Sequence, residues 1–519
     1  MPPEKLTRRE FLKTLSILSL LPLKLSSVTR NRPHFQHSTN QDLPNIFILV
    51  FDTLSAKHMS LYGYPRNTTP NMSRFADRAV VFHRHYAGGN FTTSGTASLL
   101  TGTYPWSHRA LHLHGRVLNK YEDRNIFNFF ADQFHSFAYT HNPLVAILLH
   151  EFRGQINHLT KISDLCLFSD TISESLFNQD FNTAYESELV ALRNGNDPSS
   201  SLFLSIFDQI RRAYQTNLID KAYRNTFPRG VPNLFDEQLP SFMFFTLEKS
   251  IDWMISQLQM APAPFLGYVH LLPPHGEYTT RRDFVDIFVD GWKPAAKPEH
   301  VFSEGRPEDF LITQRRYYDE YLAYVDAEFG RLVGALDQSG VLDNTFFILT
   351  SDHGEMFERG ILAHITPTLF EPIIRIPLLI SRPGLRTRQD VYSPTSCVDI
   401  LPTLLHVTGQ KVPPWCEGQI LPFSAGKVPG ADRAIYAVEA KENNKIGPLK
   451  KATIAMIKGE YKLVHYLGYE NYHDNYELYN LGEDPEELEN LDPSGSAMAT
   501  HLQEELISKI KEINDQRAR

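Results

Sequence analysis

Cysteine is scarce in this chain of 519 residues: three occur, Cys166, Cys397 and Cys416. They lie far apart with no Cys-x-x-Cys or Cys/His ligand spacing, and an odd count excludes a fully paired disulfide framework. At most one bridge could form, so buried or free thiols are expected. An excess of positive charge is missing too. The formal net charge is -9, a mild acidic excess without a basic stripe, which argues against a nucleic-acid partner. Beyond residues 1–30 no stretch approaches the roughly 18 consecutive apolar residues of a membrane-spanning helix. Internal repeats and low-complexity tracts are also lacking. What remains is a globular composition, 42% hydrophobic and 12% aromatic, in a chain long enough for two or three structural units.

Residues 1–30 read as an export signal. Thr7-Arg8-Arg9-Glu10-Phe11-Leu12-Lys13 precedes an apolar run from Thr14 to Leu25, giving a basic region followed by a short hydrophobic one. The run is interrupted by Pro22 and Lys24 and is too short for a membrane span. Paired arginines followed by Phe-Leu-Lys resemble a bacterial twin-arginine signal. The expected location is therefore periplasmic or extracellular. Leu25-Ser26-Ser27-Val28 is a weak cleavage site, so an uncleaved segment that anchors the protein at a membrane surface stays open as an alternative. Residues 31–44 are polar, contain proline and read as a linker.

The next element is a continuous apolar run, Asn45 to Phe51, the pattern of a strand buried on both faces. Similar runs are Phe265–His270, Thr345–Thr350 and Ile376–Ile380. Gly267 interrupts the first of these and marks either a weaker strand or a close backbone approach. Helical periodicity from Arg315 to Leu336 lies between strands. Strand and helix in alternation predict an α/β fold with a doubly wound, mainly parallel sheet flanked by helices. Residues 45–424 form the expected catalytic domain. Within it, about 118–260 has few strand signals and reads as a mainly helical insert that shapes substrate access. Residues 425–519 predict a small antiparallel sheet, with Thr453–Ile457 and Tyr461–Tyr466 joined by a Lys-Gly-Glu turn, closed by a helix from about Met498 to Arg517.

The chemistry-bearing residues cluster at strand ends, where open α/β sheets place their sites. Asp52 follows the first strand and Asp352-His353 follows another; both are good ligands for a divalent cation. Thr92 opens a hydroxyl-rich stretch that leads into an apolar run, so it can stand at a helix N-terminus, where free N–H groups favour an anionic ester. A metal-bound threonine hydroxyl has a lowered pKa and becomes a nucleophile. His275, in a Pro-Pro-His loop, and His364 can meet the oxygens of an ester or protonate a leaving group. Taken singly, each residue has a plainer reading: a capping Asp, an N-cap Thr, a structural His.

Ordered motifs along most of the chain resemble the sulfatase family of the alkaline phosphatase superfamily. They are Asp52-Thr53-Leu54, Leu61-Tyr62-Gly63-Tyr64, Ser98-Leu99-Leu100-Thr101-Gly102, Pro274-His275-Gly276-Glu277-Tyr278, Ser351-Asp352-His353-Gly354-Glu355, the run from Leu369 to Ile380, Val398 to Leu405, and Glu477 to Leu491. The segment 118–260 is not covered. The departures are informative. Counting back from Leu99-Leu100-Thr101-Gly102 puts Thr92 at the nucleophile position, where the family carries a Cys or Ser that becomes formylglycine. Ser94 stands for the family's Pro, Thr96 for its Arg and Thr53 for its second Asp. The lysine expected just before Leu369 is missing.

This pattern resembles the threonine-nucleophile relatives, the lipoteichoic acid synthase-like and phosphoethanolamine transferase-like enzymes. The resemblance implies a single divalent metal (Mn, Mg, Ca or Zn) held by Asp52, Thr92, Asp352 and His353, with His275 and His364 beside the ester. The expected activity is hydrolysis or transfer of a phosphoric or sulfuric ester through a covalent Thr92 intermediate, phosphoester chemistry favoured. The substrate would be a small-molecule, glycan or lipid-linked phosphate or sulfate ester. Two alternatives stay open: a sulfatase that works without formylglycine, and a non-catalytic ligand-binding relative.

Overall fold

The computed structural model describes residues 43–169, 202–236, 239–422, 433–470, 475–491 and 497–518, with the single residues 184 and 472. The export signal and nearly all of the linker lie outside this range. Nine strands form the central sheet. Eight run in the spatial order Gln389–Val391, Val80–Tyr86, Arg375–Ser381, Thr345–Thr350, Asn45–Phe51, Phe265–Leu271, His135–Thr140, His158–Leu159. Thr395–Ser396 pairs beside Val80–Tyr86. Among these strands only Arg375–Ser381 runs against the others. It is the expected fourth strand, and Pro377, which has no N–H to give, sits where the pairing with Val80–Tyr86 slips; a proline inside a sheet is tolerated at such an irregularity.

The first strand explains the layering. Ile46, Ile48 and Val50 point into one core and Phe47, Leu49 and Phe51 into another, because successive side chains alternate across a sheet. On the second side the helices Glu308–Gln338, Leu247–Met260 and Pro70–Ala76 cover the sheet, through residues such as Tyr318, Phe329, Ile251 and Phe75. On the first side lie Thr92–Thr101, Pro143–Glu151 and Ile400–Val407. The C-terminal sheet also packs there. Its strands Ala434–Glu439, Ala452–Lys458, Tyr461–Leu467 and Asn475–Asn480 form an antiparallel meander, closed by the helix Ala497–Ala518. The fold is thus a mainly parallel, doubly covered sheet with a small C-terminal antiparallel sheet and helix, as the sequence pattern implies.

The described residues of the segment 118–260 include the helices Leu202–Tyr223 and Leu247–Met260, in keeping with a mainly helical reading, but the segment also supplies strands that this reading does not contain. His135–Thr140 and His158–Leu159 belong to the central sheet itself, and Cys166–Ser169, Asn233–Asp236 and Leu239–Phe245 make a three-stranded antiparallel sheet. The strand His135–Thr140 begins with His and Ser and carries little β-branched character, so its pairing is set by tertiary context rather than propensity. The strand Val80–Tyr86, with His-Arg-His in its second half, is another without a continuous apolar run. The three cysteines are free thiols.

Gly267 marks a close approach. It is in register with Phe47 on one neighbouring strand and Phe137 on the other, and the two rings stack at 6.4 Å between centroids across it. A Cβ at this position would lie 2.5 Å from Phe137 and 2.7 Å from Phe47. Replacing a strand glycine with alanine ordinarily helps, but overpacking here should make Gly267→Ala cost about 1–3 kcal/mol. A urea titration with a lowered midpoint and an unchanged slope will show it; an unmoved midpoint would mean that the rings part freely.

Candidate active site

Four adjacent parallel strands deliver their carboxyl ends to one place. Thr345–Thr350 leads to Asp352 and His353, Asn45–Phe51 to Asp52, Phe265–Leu271 carries His270, and His135–Thr140 leads to Asn142. The loops there are pinned to one another. The Ser351 hydroxyl lies 2.7 Å from the Phe51 carbonyl and 3.0 Å from the Leu54 amide. Thr53 has a left-handed φ of 58°, unusual for a non-glycine residue. Its carbonyl accepts from the Tyr318 hydroxyl at 2.7 Å, and Tyr318 in turn accepts from the Ser55 amide at 3.2 Å. The turn that projects Asp52 is therefore held from the long helix behind it.

Thr92 is the first residue of the helix Thr92–Thr101, as expected for a group meant to share the helix's free N–H end. Its hydroxyl oxygen lies 3.4 Å from Nε2 of His353 and accepts from the Asn142 amide at 3.3 Å. The hydroxyl of neighbouring Thr93 instead donates to the Leu113 carbonyl, so of the two threonines Thr92 faces the cluster. Gly95 permits the closeness: a Cβ there would overlap the carbonyl of Asp352.

The cluster is wholly buried. Asp52 and Asp352 together with His270 present ligand atoms within 4.8 Å of one another. His270 Nε2 is 3.2 Å from Asp52 and 3.8 Å from Asp352; His353 Nε2 is 3.6 Å and 3.4 Å from the same two carboxylates. Asn142 donates to Asp52 at 2.6 Å. Its own carbonyl oxygen caps the helix Pro143–Glu151 through the Leu144 amide at 2.8 Å, which fixes the side chain with its NH₂ turned into the site. His353 and His364 rings lie 4.2 Å apart between centroids, and His364 and His275 lie 5.2 Å apart. The structure thus brings together Asp52, Thr92, Asp352, His353, His275 and His364.

Charge in this volume is strongly coupled. Burial alone would raise the Asp52 carboxyl, but the hydrogen bond with His270 and the charges of His275, His270 and His353 hold it well below the usual carboxylate range. Burial and the negative charge of Asp52 push Asp352 well above it. Two acids this close share a proton when nothing else compensates them. Burial, with His364 nearby, drives the His353 imidazole down to about 3. Burial lifts Glu355 to about 7 against the pull of His275 and His353.

A cation fits this donor set. Asp52 Oδ1 and Asp352 Oδ2 are buried oxygens without a hydrogen-bond partner, a costly state unless something positive meets them. His353 donates Nδ1–H to the Gly354 carbonyl at 3.0 Å, which leaves Nε2 free to coordinate. His270 and Asn142 are the residues that sequence reading missed. His270 was visible as a histidine at the carboxyl end of a buried strand. Asn142 was hidden, because its strand lies in the segment read as a helical insert.

The sulfatase family model matches residues 44–410, and a model described as the C-terminal part of N-sulphoglucosamine sulphohydrolase matches residues 366–516. The choline-sulfatase of Rhizobium meliloti is 24% identical over 482 residues, 86% of this chain and 82% of that protein. The N-acetylglucosamine-6-O-sulfatase of Bacteroides thetaiotaomicron is 25% identical over 539 residues, 96% of this chain and 90% of that protein. Among solved structures, the phosphonate monoester hydrolase of Agrobacterium radiobacter superposes with a TM-score of 0.63 at 18% identity, covering 91% of this chain and 96% of its own.

The orphaned carboxylate oxygens give a prediction about stability. In metal-stripped protein at neutral pH, Asp352→Asn removes the cost of holding a proton on a carboxyl whose pKa is raised by burial and Asp52 and supplies an NH₂ that can face Asp52, so its Tm should rise above wild type. Adding a divalent cation should raise the Tm of wild type, because a ligand that binds only the folded state stabilises it, and should leave the variant nearly unmoved. A variant that melts below stripped wild type and still gains from metal would show that Asp352 is not a ligand.

Proposed function

The chain belongs to the sulfatase family, and from that premise we propose that it hydrolyses a monoanionic ester through a covalent adduct on Thr92. The observation that carries this reading is the placement of the Thr92 hydroxyl at a helix N-terminus, within 3.4 Å of His353 and 3.3 Å of Asn142. Asp52, Asp352, His353 and His270 would hold one divalent ion with the Thr92 oxygen. When bound, such an ion lowers the pKa of the hydroxyl and offsets the charge of the two acids. Imidazole beside carboxylate suits Zn or Mn better than Mg or Ca.

The chain's own residues supply the rest. The Thr92 oxygen attacks phosphorus or sulfur in line and expels the alcohol. Asn142 donates a hydrogen bond at the attacking oxygen, and the N–H groups at the helix start meet the non-bridging oxygens. His364 and His275, whose rings follow that of His353 at 4.2 and 5.2 Å between successive centroids, would meet the leaving group. Water, or an acceptor alcohol in a transfer reaction, then displaces Thr92. A threonine has a single hydroxyl, so release requires this second in-line displacement at the central atom. That favours phosphorus, as a phosphonate monoester or phosphate diester. Hydrolysis of a sulfate ester is the second reading, favoured by the names of the curated relatives. Thr96, where the family carries Arg, takes one fixed positive charge out of the immediate site, which suits one negative charge on the ester better than two. The intact nucleophile and ligand set supports an enzyme rather than a ligand-binding relative. The leaving group would be a small alcohol, a glycan or a lipid-linked group.

Two experiments test this. Thr92→Ala should lower turnover of 4-nitrophenyl phenylphosphonate or 4-nitrophenyl sulfate by about 10³-fold or more, while Thr92→Ser keeps partial activity. Mass spectrometry of quenched wild type should find the adduct on the peptide bearing Thr92; loss of activity in Thr93→Ala with none in Thr92→Ala would move the nucleophile by one residue. The Arg8-Arg9 pair supports export by a twin-arginine route. Replacing both with Lys should leave the precursor in the cytoplasm, as fractionation will show, and export at the wild-type level would remove the claim.

A further inference from the structure

The site's histidines differ in what stands behind them. Nδ1 of His353 meets the Gly354 carbonyl at 3.0 Å, Nδ1 of His275 meets the Gly276 carbonyl at 2.8 Å, and Nδ1 of His270 meets the Tyr268 hydroxyl at 3.2 Å. Nδ1 of His364 meets a carboxylate: Oε1 of Glu355 lies 3.0 Å away, and both side chains are buried. The arrangement is held on several sides. Asn90, itself buried, donates to the carbonyls of His364 and Thr366 at 3.0 and 2.7 Å, tying the His364 loop to the segment that leads into Thr92. The Ala363 amide donates to the Met356 carbonyl at 2.9 Å, which joins the His364 loop to the chain just after Glu355. Tyr278, on the loop that carries His275, hydrogen-bonds Glu355 from the other side.

A carboxylate behind an imidazole does two things that a carbonyl does less well. It fixes the tautomer with the proton on Nδ1, and it stabilises the cation formed when Nε2 also takes a proton. We propose that Glu355 is a positioning residue for His364, and that this pair carries the proton exchanged with the leaving group and the water. The inference rests on the hydrolytic reading above. The cycle starts with the Thr92 oxygen deprotonated and a proton on Nε2 of His364. Thr92 forms a bond to the central atom, the ester bond to the alcohol oxygen breaks, and that oxygen takes the Nε2 proton. Water then attacks the adduct and gives a proton back to Nε2 as the bond to Thr92 breaks. The proton inventory closes without an outside donor. His275, backed by a neutral carbonyl, is left to hold a non-bridging oxygen.

The test is the dependence on leaving group. Wild type, Glu355→Gln and His364→Gln are compared on 4-nitrophenyl and unsubstituted phenyl esters of the same acid. The 4-nitrophenolate departs without help; the phenolate needs its proton. Since positioned general acids contribute about 10²–10⁴-fold, kcat/KM of Glu355→Gln on the phenyl ester should fall by about 10²-fold, at least tenfold further than on the 4-nitrophenyl ester. His364→Gln should show the same imbalance, and the double variant should lose little more than either single one. Equal losses on the two esters, from folded protein with wild-type metal content, would overturn the pair and leave Glu355 a structural residue. If Glu355→Gln does not fold, an even loss in His364→Gln overturns it as well. A wild type that cleaves neither the 4-nitrophenyl nor the phenyl ester of phenylphosphonic or sulfuric acid overturns the hydrolytic reading itself, and the pair with it.

Discussion

Asp52 and Asp352 face each other in a volume closed to water, and each keeps one oxygen with no hydrogen-bond partner. Burying two acids this close is costly unless they share a proton or meet a cation, and much of the surrounding structure holds them in place. The strands that carry them are neighbours paired in register, so the carboxylates cannot drift apart without breaking the sheet. Ser351, Tyr318 and the Gly354 amide, which donates to the Ile373 carbonyl at 2.6 Å, hold the turns that aim them. His270, His353 and Asn142 surround them with polar atoms; His353 Nε2 comes within 3.6 and 3.4 Å of the two orphaned oxygens, yet none of the three hydrogen-bonds them. A sheet of this size can keep such a pair because the folded state is stabilised elsewhere, by cores on both faces, and a cation held there would reverse the sign of the local interaction.

The legible part of the site was the part written in continuous runs. Asp52 and Asp352 follow strands so uniformly apolar that both the strands and their ends could be read from pattern alone. Thr92 could be located because a distinctive run lies at a fixed distance beyond it. His270 was half legible: it belongs to a strand that was recognised, but register, not composition, decides that its ring reaches Asp52. Asn142 was not legible. Its strand, His135–Thr140, is polar at its start and lies within a stretch with little strand signal, and only pairing with Phe265–Leu271 makes it central. Gly267 had two readings from sequence, and the facing rings of Phe47 and Phe137 select the close approach. The C-terminal meander and its terminal helix were legible because alternation and helical spacing act locally there.

The departures from the family pattern all lower the formal charge packed into the site. Thr53 in place of a second acid removes a negative charge from the cluster. Thr96 in place of an arginine and the missing lysine before Leu369 remove two positive ones. The two remaining acids are thereby left with fewer fixed charges around them. His270 adds a further donor of no formal charge in its neutral form. The fully buried Thr368, which precedes Leu369, shows the same economy: its hydroxyl lies 3.2 Å from that of Thr366, where a lysine would need a counter-charge.

Rigidity decides how such a site can work. Thr92 stands on a helix, the acids on short turns at strand ends, and glycines let these elements touch. A Cβ on Gly95 would overlap the Asp352 carbonyl, and one on Gly354 would overlap the Pro372 carbonyl. Backbone-to-backbone contact of this kind has no long side chain to absorb a shift, so the separation of Thr92 from the two acids is set by the fold and not by rotamers. His275 and His364 are different: they ride on loops, joined through Tyr278, Glu355 and Asn90 rather than by packed backbone. On the covalent mechanism proposed above, attack would need one fixed distance and departure would have to accommodate alcohols of different size, so the stiff half of the site would serve bond formation and the hydrogen-bonded half the leaving group.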